Sequence, residues 1–291
     1  MQKEYEVIYE LSTKYSISSL CKEMAINRSS YYKWLNRRFK ISDRELKRND
    51  ACKLFEEYHS KFPSHGYKWL NAKITLETGV IYSDNYAHKI CKYLNIKSQA
   101  KHVKRYGKAK NKELKNFPNI ILAELNPVKP FEIVVSDMTA FRANKTYYEL
   151  TLYMDLFNNE IISYALSSRR GDPNTYLDGL YDLIAKKEEY NDLELILHTD
   201  QGSVYSSKRY NESLPNYNII HSMSKPGTPT ENGAMEAING WIKEELFIDF
   251  KISSKNNVHD EIQKYINYFN YGRPQAALKY LTPNQFKEKY A

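Results

Sequence analysis

The stretch "LILHTDQGSVYSS" (residues 195–207) decides how the chain reads. An aliphatic run, Leu195-Ile196-Leu197, stops abruptly at His198-Thr199-Asp200-Gln201-Gly202. A short aliphatic run of this kind suits a central strand. An Asp followed two residues later by Gly is a turn signal. Asp200 is therefore either an ordinary turn residue or a carboxylate set at a strand exit to do chemistry. Taken alone, the stretch favours the turn, so the choice depends on what surrounds it.

Working outward, "FEIVVSDMTAF" (131–141) reads as a strand on its β-branched Ile133-Val134-Val135 run. "YYELTLYMDLF" (147–157) and "EIISYALSS" (160–168) read as two more, joined as a hairpin through Asn158-Asn159. "PNTYLDGLYDLIAKKEEY" (173–190) is helical, with Tyr176, Leu180, Leu183 and Ile184 on one face. "ELILHT" (194–199) is the fourth strand and "NYNIIHSM" (216–223) a fifth. "TENGAMEAINGWIKEELFIDF" (230–250) is a helix packing through Ala234, Ile238, Trp241 and Ile242. Three strands, a helix, a strand and more helix is an α/β order.

Three acids stand out on these elements. Asp137 falls at the end of the first strand, Asp200 at the end of the fourth, and Glu236 one to two turns into the last helix. Between Asp200 and Glu236 lie 35 residues. Each acid has an ordinary role open to it: a loop cap, a turn residue, solvated helix surface. Brought together, they would repel one another unless a cation sat between them. Oxygen donors with room left for water suit Mg²⁺ or Mn²⁺. Two such ions, about 3.5–4 Å apart, activate a nucleophile and stabilise the leaving oxygen of a phosphodiester. Glu231 is the rival third ligand, on a different helical face from Glu236. Lys243, seven positions after Glu236, returns to nearly the same face and is placed to touch a phosphate.

The first half has another character. Residues 1–130 carry 26 Lys and Arg against 13 Asp and Glu, whereas residues 131–291 carry 17 against 22. A basic half joined to a mildly acidic one points to a polyanionic partner. "ISSLCKEMAINRSSYYKWLNRR" (17–38) holds two short helical patterns around Ala25-Ile26-Asn27. Leu20, Cys21 and Met24 form one face, and Tyr31, Trp34 and Leu35 the other, with Asn27 or Ser29 as cap. This suits a helix-turn-helix with Arg28 and Lys33 facing DNA, or a plain helical hairpin. "HGYKWLNAKITLETGVIYSDNYAHKICKYLNIK" (65–97) repeats the pattern. Trp69, Leu70 and Ile74 form its first helix, stopped at Gly79. Ser83 or Asp84 caps a second helix carrying Ile90, Tyr93 and Leu94. Between Lys97 and Lys115, Lys101, Lys104, Arg105, Lys108 and Lys110 belong to a basic run that suits an arm along phosphates. Three prolines in 116–130 mark a linker. The expected division is 1–60, 61–100, a basic arm and linker at 101–130, and the α/β core at 131–291.

Other classes are disfavoured. The odd, scattered Cys21, Cys52 and Cys91 argue against a disulfide framework and a Cys-rich zinc site. No apolar run reaches the length of a membrane span, and "MQKEYEVIYELSTKYS" lacks a signal-peptide pattern. We expect a cytoplasmic protein with no membrane partner. His198 and His221 read as packing or polar support rather than general bases. With 26 tyrosines, no single one stands out as a nucleophile.

Asp137, Asp200 and Glu236 with their 35-residue gap resemble the D,D(35)E signature of retroviral-integrase-like transposases. "HTDQGSVYSS", "SMSKPGTPTENGAMEAINGWIKEEL", "YINYFNYGRPQAALKYLTPNQF" and "HGYKWLNAKI" are similar to the second-reading-frame (OrfB) transposase of the IS-three family of bacterial insertion sequences. The resemblance runs from about residue 17 to the C-terminus. It implies an RNase H-like core preceded by all-α helix-turn-helix-like segments, and Mg²⁺-dependent DNA strand cleavage and joining. It carries Asp137, Asp200 and Glu236 over as metal ligands and Lys243 as the basic residue that follows them. It also implies work on element ends and target DNA as a homo-oligomer, an upstream-frame protein or frameshift fusion as partner, and a bacterial cytoplasm with the chain on the nucleoid when DNA-bound. The chain departs from the family pattern at Glu231-Asn232-Gly233, usually Asp-Asn-Ala. It departs again at Gln201, usually Arg and a candidate DNA contact, and before Asp137, where the family usually has Trp. A DNA-binding regulator with an inert core and a stand-alone RNase H-like nuclease are the alternatives.

Overall fold

The computed structural model describes residues 2–38, 40–100, 127–190, 193–200, 202–212, 214–224 and 233–291, with backbone only at 2 and 233–237. The chain forms two compact units, 1–54 and 55–291. Among the described residues no helix is long and apolar enough to cross a membrane.

The first unit contains α1 (Gln2–Leu11), α2 (Ile17–Glu23), α3 (Arg28–Arg38) and the start of α4 (Asp43–Lys61). Ser16 caps α2 by accepting from Ser19 N, and Asn27 Oδ1 accepts from Ser29 N at 2.9 Å to open α3. Ile8, Cys21 and Tyr31 are buried together, with Leu20, Met24, Trp34 and Leu35 packed around them. Both apolar faces expected in 17–38 thus meet in one small core, which α1 completes.

The second unit opens with the rest of α4, then α5 (Tyr67–Thr78) and α6 (Asp84–Tyr93). Gly79 ends α5 in the left-handed region at φ 72°, a conformation that favours glycine. Ser83 caps α6 by accepting from Tyr86 N. Ala87, Ile90 and Cys91 form the buried stripe of α6, whereas Tyr93 is 68% exposed. It lies off the i, i+3, i+4 stripe that the first three residues define.

The sheet contains β1 (Ile133–Ala143), β2 (Thr146–Asp155), β3 (Ile161–Ser167), β4 (Leu195–Thr199) and β5 (Ile219–Met223), in the order β3-β2-β1-β4-β5. The first three are antiparallel; β4 and β5 add in parallel. Asn144 and Lys145, at φ 50° and 66°, make the tight β1–β2 turn. Helix α7 (Pro173–Tyr190) crosses from β3 to β4, and the short α8 (Lys208–Asn211) precedes β5. Helices α9 (Gly233–Ile248), α10 (Val258–Asn267) and α11 (Pro283–Tyr290) complete the chain.

Side chains alternate across the sheet, so each face has its own core. Val134, Leu195 and Leu197 pack with Leu177, Leu180, Leu183 and Ile184 of α7. Val135, Leu152 and Met154 pack with Ile242 and Leu246 of α9 and with Ile262 and Tyr265 of α10. Trp241, expected in this face, is 44% exposed. Ile238, Ile242 and Leu246, four apart, make the packing stripe, and Trp241 falls beside it.

A buried polar hub ties α9 to its neighbours. Glu245 is fully buried and accepts from Arg273 Nε at 2.8 Å and Nη2 at 2.6 Å, and from the Tyr265 hydroxyl at 3.0 Å. Asp249 accepts from Ser64 N and Oγ at 2.9 and 2.6 Å. Trp69 Nε1 donates to the Pro274 carbonyl at 2.9 Å, and Lys73 Nζ to that of Gly272 at 2.5 Å. Residues 61–100 therefore pack with the C-terminal elements of the sheet unit. Removing one partner of a buried ion pair strands the other charge. Arg273→Met should destabilise the unit by about 3–5 kcal/mol in urea unfolding. The double variant Glu245→Gln/Arg273→Met should recover most of that loss, because no charge is left unpaired.

Candidate active site

The site is built on the junction of β1 and β4. Their parallel register runs from Ile133–Ile196 to Ser136–Thr199 and stops there. Asp137 and Asp200 are the next residue on each strand. Asp137 is not at the end of β1, as its sequence suggested. The strand continues to Ala143, paired with β2 through Asp137–Leu152 and beyond. What ends at Asp137 is the ladder with β4, because β4 stops at Thr199. The sequence pattern showed the loss of one partner and not the persistence of the other.

Both carboxylates are half-buried and held by donors. Met138 N donates to Asp137 Oδ1 at 2.8 Å, and Asn239 Nδ2 of α9 donates to Oδ2 at 2.8 Å. Gly202 N donates to Asp200 Oδ1 at 2.9 Å. A Cβ on Gly202 would lie 2.9 Å from that same oxygen, so a side chain there would push the carboxylate aside. Asp200 is thus a turn residue by its hydrogen bond and a presented carboxylate by its position.

The two acids act on the same neighbours. Burial, with the negative charges of Glu149, Asp200 and Asp137 added, pushes the Tyr176 hydroxyl up to about 12. Burial, Tyr153 and the charges of Asp137 and Asp200 hold Tyr205 well above the usual phenol range. Ser136 Oγ and Tyr205 OH lie 2.8 Å apart, tying β1 to the loop after Asp200. Tyr153 donates to the Tyr176 carbonyl at 2.7 Å and lies 3.0 Å from the Tyr210 hydroxyl. Sequence reasoning missed this tyrosine support. Its members come from β2, α7 and the β4–β5 connection, and no local spacing links them.

Behind Asp200 lies a second support. Thr199 Oγ1 donates to the Asp200 carbonyl at 2.9 Å and sits 3.0 Å from His221 Nε2. His221 Nδ1 faces Asn211 Oδ1 at 2.5 Å, while the Asn211 amide nitrogen donates to the carbonyls of Tyr205 and Ser207. Burial, then the neighbouring His198, depresses His221 to about 4. His198 Nδ1 lies 3.0 Å from Ser222 Oγ. Both histidines are engaged in buried polar contacts.

Of the remaining expected residues, Lys243, Arg28 and Lys33 are described with their side chains. Glu236 lies in the first turn of α9, one turn before Asn239; its side chain is outside the described residues, as are Glu231, Gln201, Lys101, Lys104, Arg105, Lys108 and Lys110. Among the described residues no group of three or more His, Cys, Asp or Glu is spaced to hold a metal. The described pair, Asp137 and Asp200, offers carboxylate oxygens only, the donor type a hard divalent cation takes. Lys243 is half-buried on α9. In the first unit, Arg28 and Lys33 are exposed on α3. Lys33, Arg37, Arg38, Lys40 and Arg48 line a cleft of about 930 Å³ there, with Glu6 and Glu45.

Comparison with known proteins locates these features within a family. Two models, each described as an integrase core domain, match residues 127–229 and 217–283. InsK of insertion sequence element IS150 from Escherichia coli (strain K12) is 30% identical over 285 residues, covering 98% of each chain. The transposase of IS904 from Lactococcus lactis subsp. lactis (strain IL1403) is 29% identical, covering 81% of this chain and 94% of its own. InsF, the transposase of IS3A in E. coli (strain K12), is 23% identical over 98% of this chain and 99% of its own.

The Gly202 contact generates a structural test. In a crystal structure of Gly202→Ala, the hydrogen bond from the residue-202 amide to Asp200 Oδ1 should be broken and the carboxylate rotated away. An unchanged 2.9 Å contact would show that the turn absorbs a methyl without cost to Asp200.

Proposed function

We propose a mechanism for this chain as a member of the IS-three family of insertion-sequence transposases, second-reading-frame type, with a retroviral-integrase-like, RNase H-like core. It is a DNA-cleaving and strand-transferring enzyme. In our reading, Asp137, Asp200 and Glu236 are its catalytic acids and hold two Mg²⁺ ions. The observation that supports this reading is the Ser136–Thr199 pair, after which Asp137 and Asp200 follow directly in sequence, with α9 tied to Asp137 through Asn239.

The ions, when bound, supply Lewis acidity: they favour the deprotonated nucleophile and stabilise the leaving oxygen. The chain's own residues do the positioning. Asp137 and Asp200 present carboxylate oxygens, the donor type that a hard divalent cation takes. The Asn239 amide is neutral and orients Asp137 without competing for charge. Gly202 N–H and the Thr199–His221–Asn211 chain hold the exit of β4. Water first adds to a phosphorus at the element end, and the 3′-oxygen leaves as a hydroxyl. That 3′-hydroxyl then attacks a target phosphodiester and displaces a second 3′-oxygen. The second step exchanges one phosphodiester for another and needs no external energy source.

Lys243 in this scheme contacts a phosphate beside the acids. Arg28 and Lys33, with Lys101, Lys104, Arg105, Lys108, Lys110 and Gln201, contact DNA elsewhere. The partners are element ends and target DNA, a second copy of the chain, and an upstream-frame protein or fusion, all in the bacterial cytoplasm.

The test is Mg²⁺-dependent nicking of DNA carrying the element ends by the parental chain and by Asp137→Asn, Asp200→Asn and Glu236→Gln. Each variant should lose on the order of a hundredfold or more, the rate equivalent of several kcal/mol of transition-state stabilisation. Equal nicking by parent and Asp200→Asn would sink the assignment. DNA binding without nicking by either would favour the regulator, and nicking without joining the stand-alone nuclease.

A further inference from the structure

Helix α6 carries a face that the cleavage chemistry leaves unused. Successive residues of a helix rotate by about 100°. Ala87, Ile90 and Cys91 therefore gather on one side, where they are buried. Asn85, His88, Lys89, Lys92 and Tyr93 gather on the opposite side, over an arc of about 140°, and all are exposed. Every one of these side chains can donate a hydrogen bond, and none is an acid. The lone acid of the helix, Asp84, sits in its first turn and off this arc, where Oδ1 accepts from Asn71 Nδ2 at 3.1 Å.

Other surface helices of the same unit are built differently. The exposed sides of α7 and α10 mix the two signs about one turn apart: Lys186 pairs with Asp182 at 2.8 Å, and Lys264 with Glu261 at 2.8 Å. Interspersed charge keeps a helix soluble without drawing in a polyanion, whereas a field of one sign steers one toward it. On α6 no acid shares the arc with Lys89 and Lys92. Lys97, exposed just beyond the helix, adds to the same sign.

The helix is also held in place. Asn71 of α5 is buried, and it donates to the Tyr82 carbonyl at 3.0 Å as well as to Asp84. It thus pins both the connection and the first turn of α6. The Tyr67 ring of α5 lies against His88, with centroids 5.0 Å apart. Helix α5 is itself bonded to the C-terminal segment through Trp69 and Lys73. Helix α6 therefore belongs to the same compact unit as Asp137 and Asp200. A helix, a turn at Gly79 and a second helix is also the order of a helix-turn-helix, whose second helix enters the groove.

We propose that α6 lies in the major groove of the duplex on which the chain acts, with Asn85 at a base edge and Lys89 and Lys92 at phosphates. The groove, about 12 Å wide, admits a helix about 10–12 Å across. An Asn amide matches the paired donor and acceptor that adenine shows there. Asn85 falls in the first turn of α6, the part that meets base edges when the second helix of such a pair docks. Lys89 and Lys92 follow along the same arc toward the end that turns back to the backbone. Because α6 and the acids share one unit, the bases it reads stand at a fixed distance from the phosphate that is cut. The proposal rests on the DNA-cleaving reading for its ligand but not on the metal-holding acids.

The test is fluorescence anisotropy of the full chain on two labelled duplexes of equal length, one carrying an element end and one unrelated, without Mg²⁺ and across a salt series. Lys89→Gln/Lys92→Gln should weaken binding to both duplexes alike, and the slope of log affinity against log salt should fall by about two. Asn85→Ala should weaken binding to the element end about tenfold and leave the unrelated duplex unchanged. Asp200→Asn should bind like the parent, which separates groove reading from cleavage. The substituted α6 positions are exposed, and the fold of each variant is checked by circular dichroism. An unchanged salt slope in the lysine variant, or an undiminished preference for the element end in Asn85→Ala, would overturn the proposal and leave the DNA-cleaving reading standing. A parental chain that binds neither duplex would overturn both.

Discussion

The parallel pairing of β1 with β4 is the constraint on which the rest depends. β1 has partners on both sides, antiparallel β2 and parallel β4, so its register cannot slip without moving every side chain to the other face. The ladder ends at Ser136–Thr199, and Asp137 and Asp200 are the residues that follow that last pair. Met138 N and Asn239 Nδ2 each give a hydrogen bond to one oxygen of Asp137, and Gly202 N gives one to Asp200 Oδ1.

Helix α9 transmits that arrangement through the second unit. One surface carries Ile242 and Leu246 into the core shared with β1 and β2. Asn239 reaches Asp137, Glu245 takes the guanidinium of Arg273, and Asp249, just beyond the helix end, takes Ser64. The buried Glu245–Arg273 pair is a directional contact, whereas apolar packing alone leaves helix rotation loosely specified. Asp137 and the buried Glu245–Arg273 pair are thus tied to the same helix.

Much of this was legible in the sequence wherever the signal was local. The five strands, α7 and the caps at Asn27, Ser83 and Gly79 follow from side-chain period and turn chemistry, and the structure places them within a few residues. The misreadings have one cause. Helical spacing puts Trp241 in the packing face of α9, yet it sits beside the stripe. Period identifies which face is buried only when the neighbouring element is known. Asp137 was placed at a strand end because the sequence shows where an apolar run stops, not which of two partners stops with it.

By itself the sequence determined the α/β order, the basic and acidic halves, and the three acids with their 35-residue gap, because composition, period and spacing are properties of the chain alone. Only the tertiary structure decided that Asp137 and Asp200 share neighbours in Tyr176 and Tyr205, that Asn239 donates to Asp137, and that Ser64 reaches Asp249. These contacts join residues up to 185 positions apart, as from Ser64 to Asp249. Strand register and helix rotation set such distances, and neither is written in any local stretch of sequence.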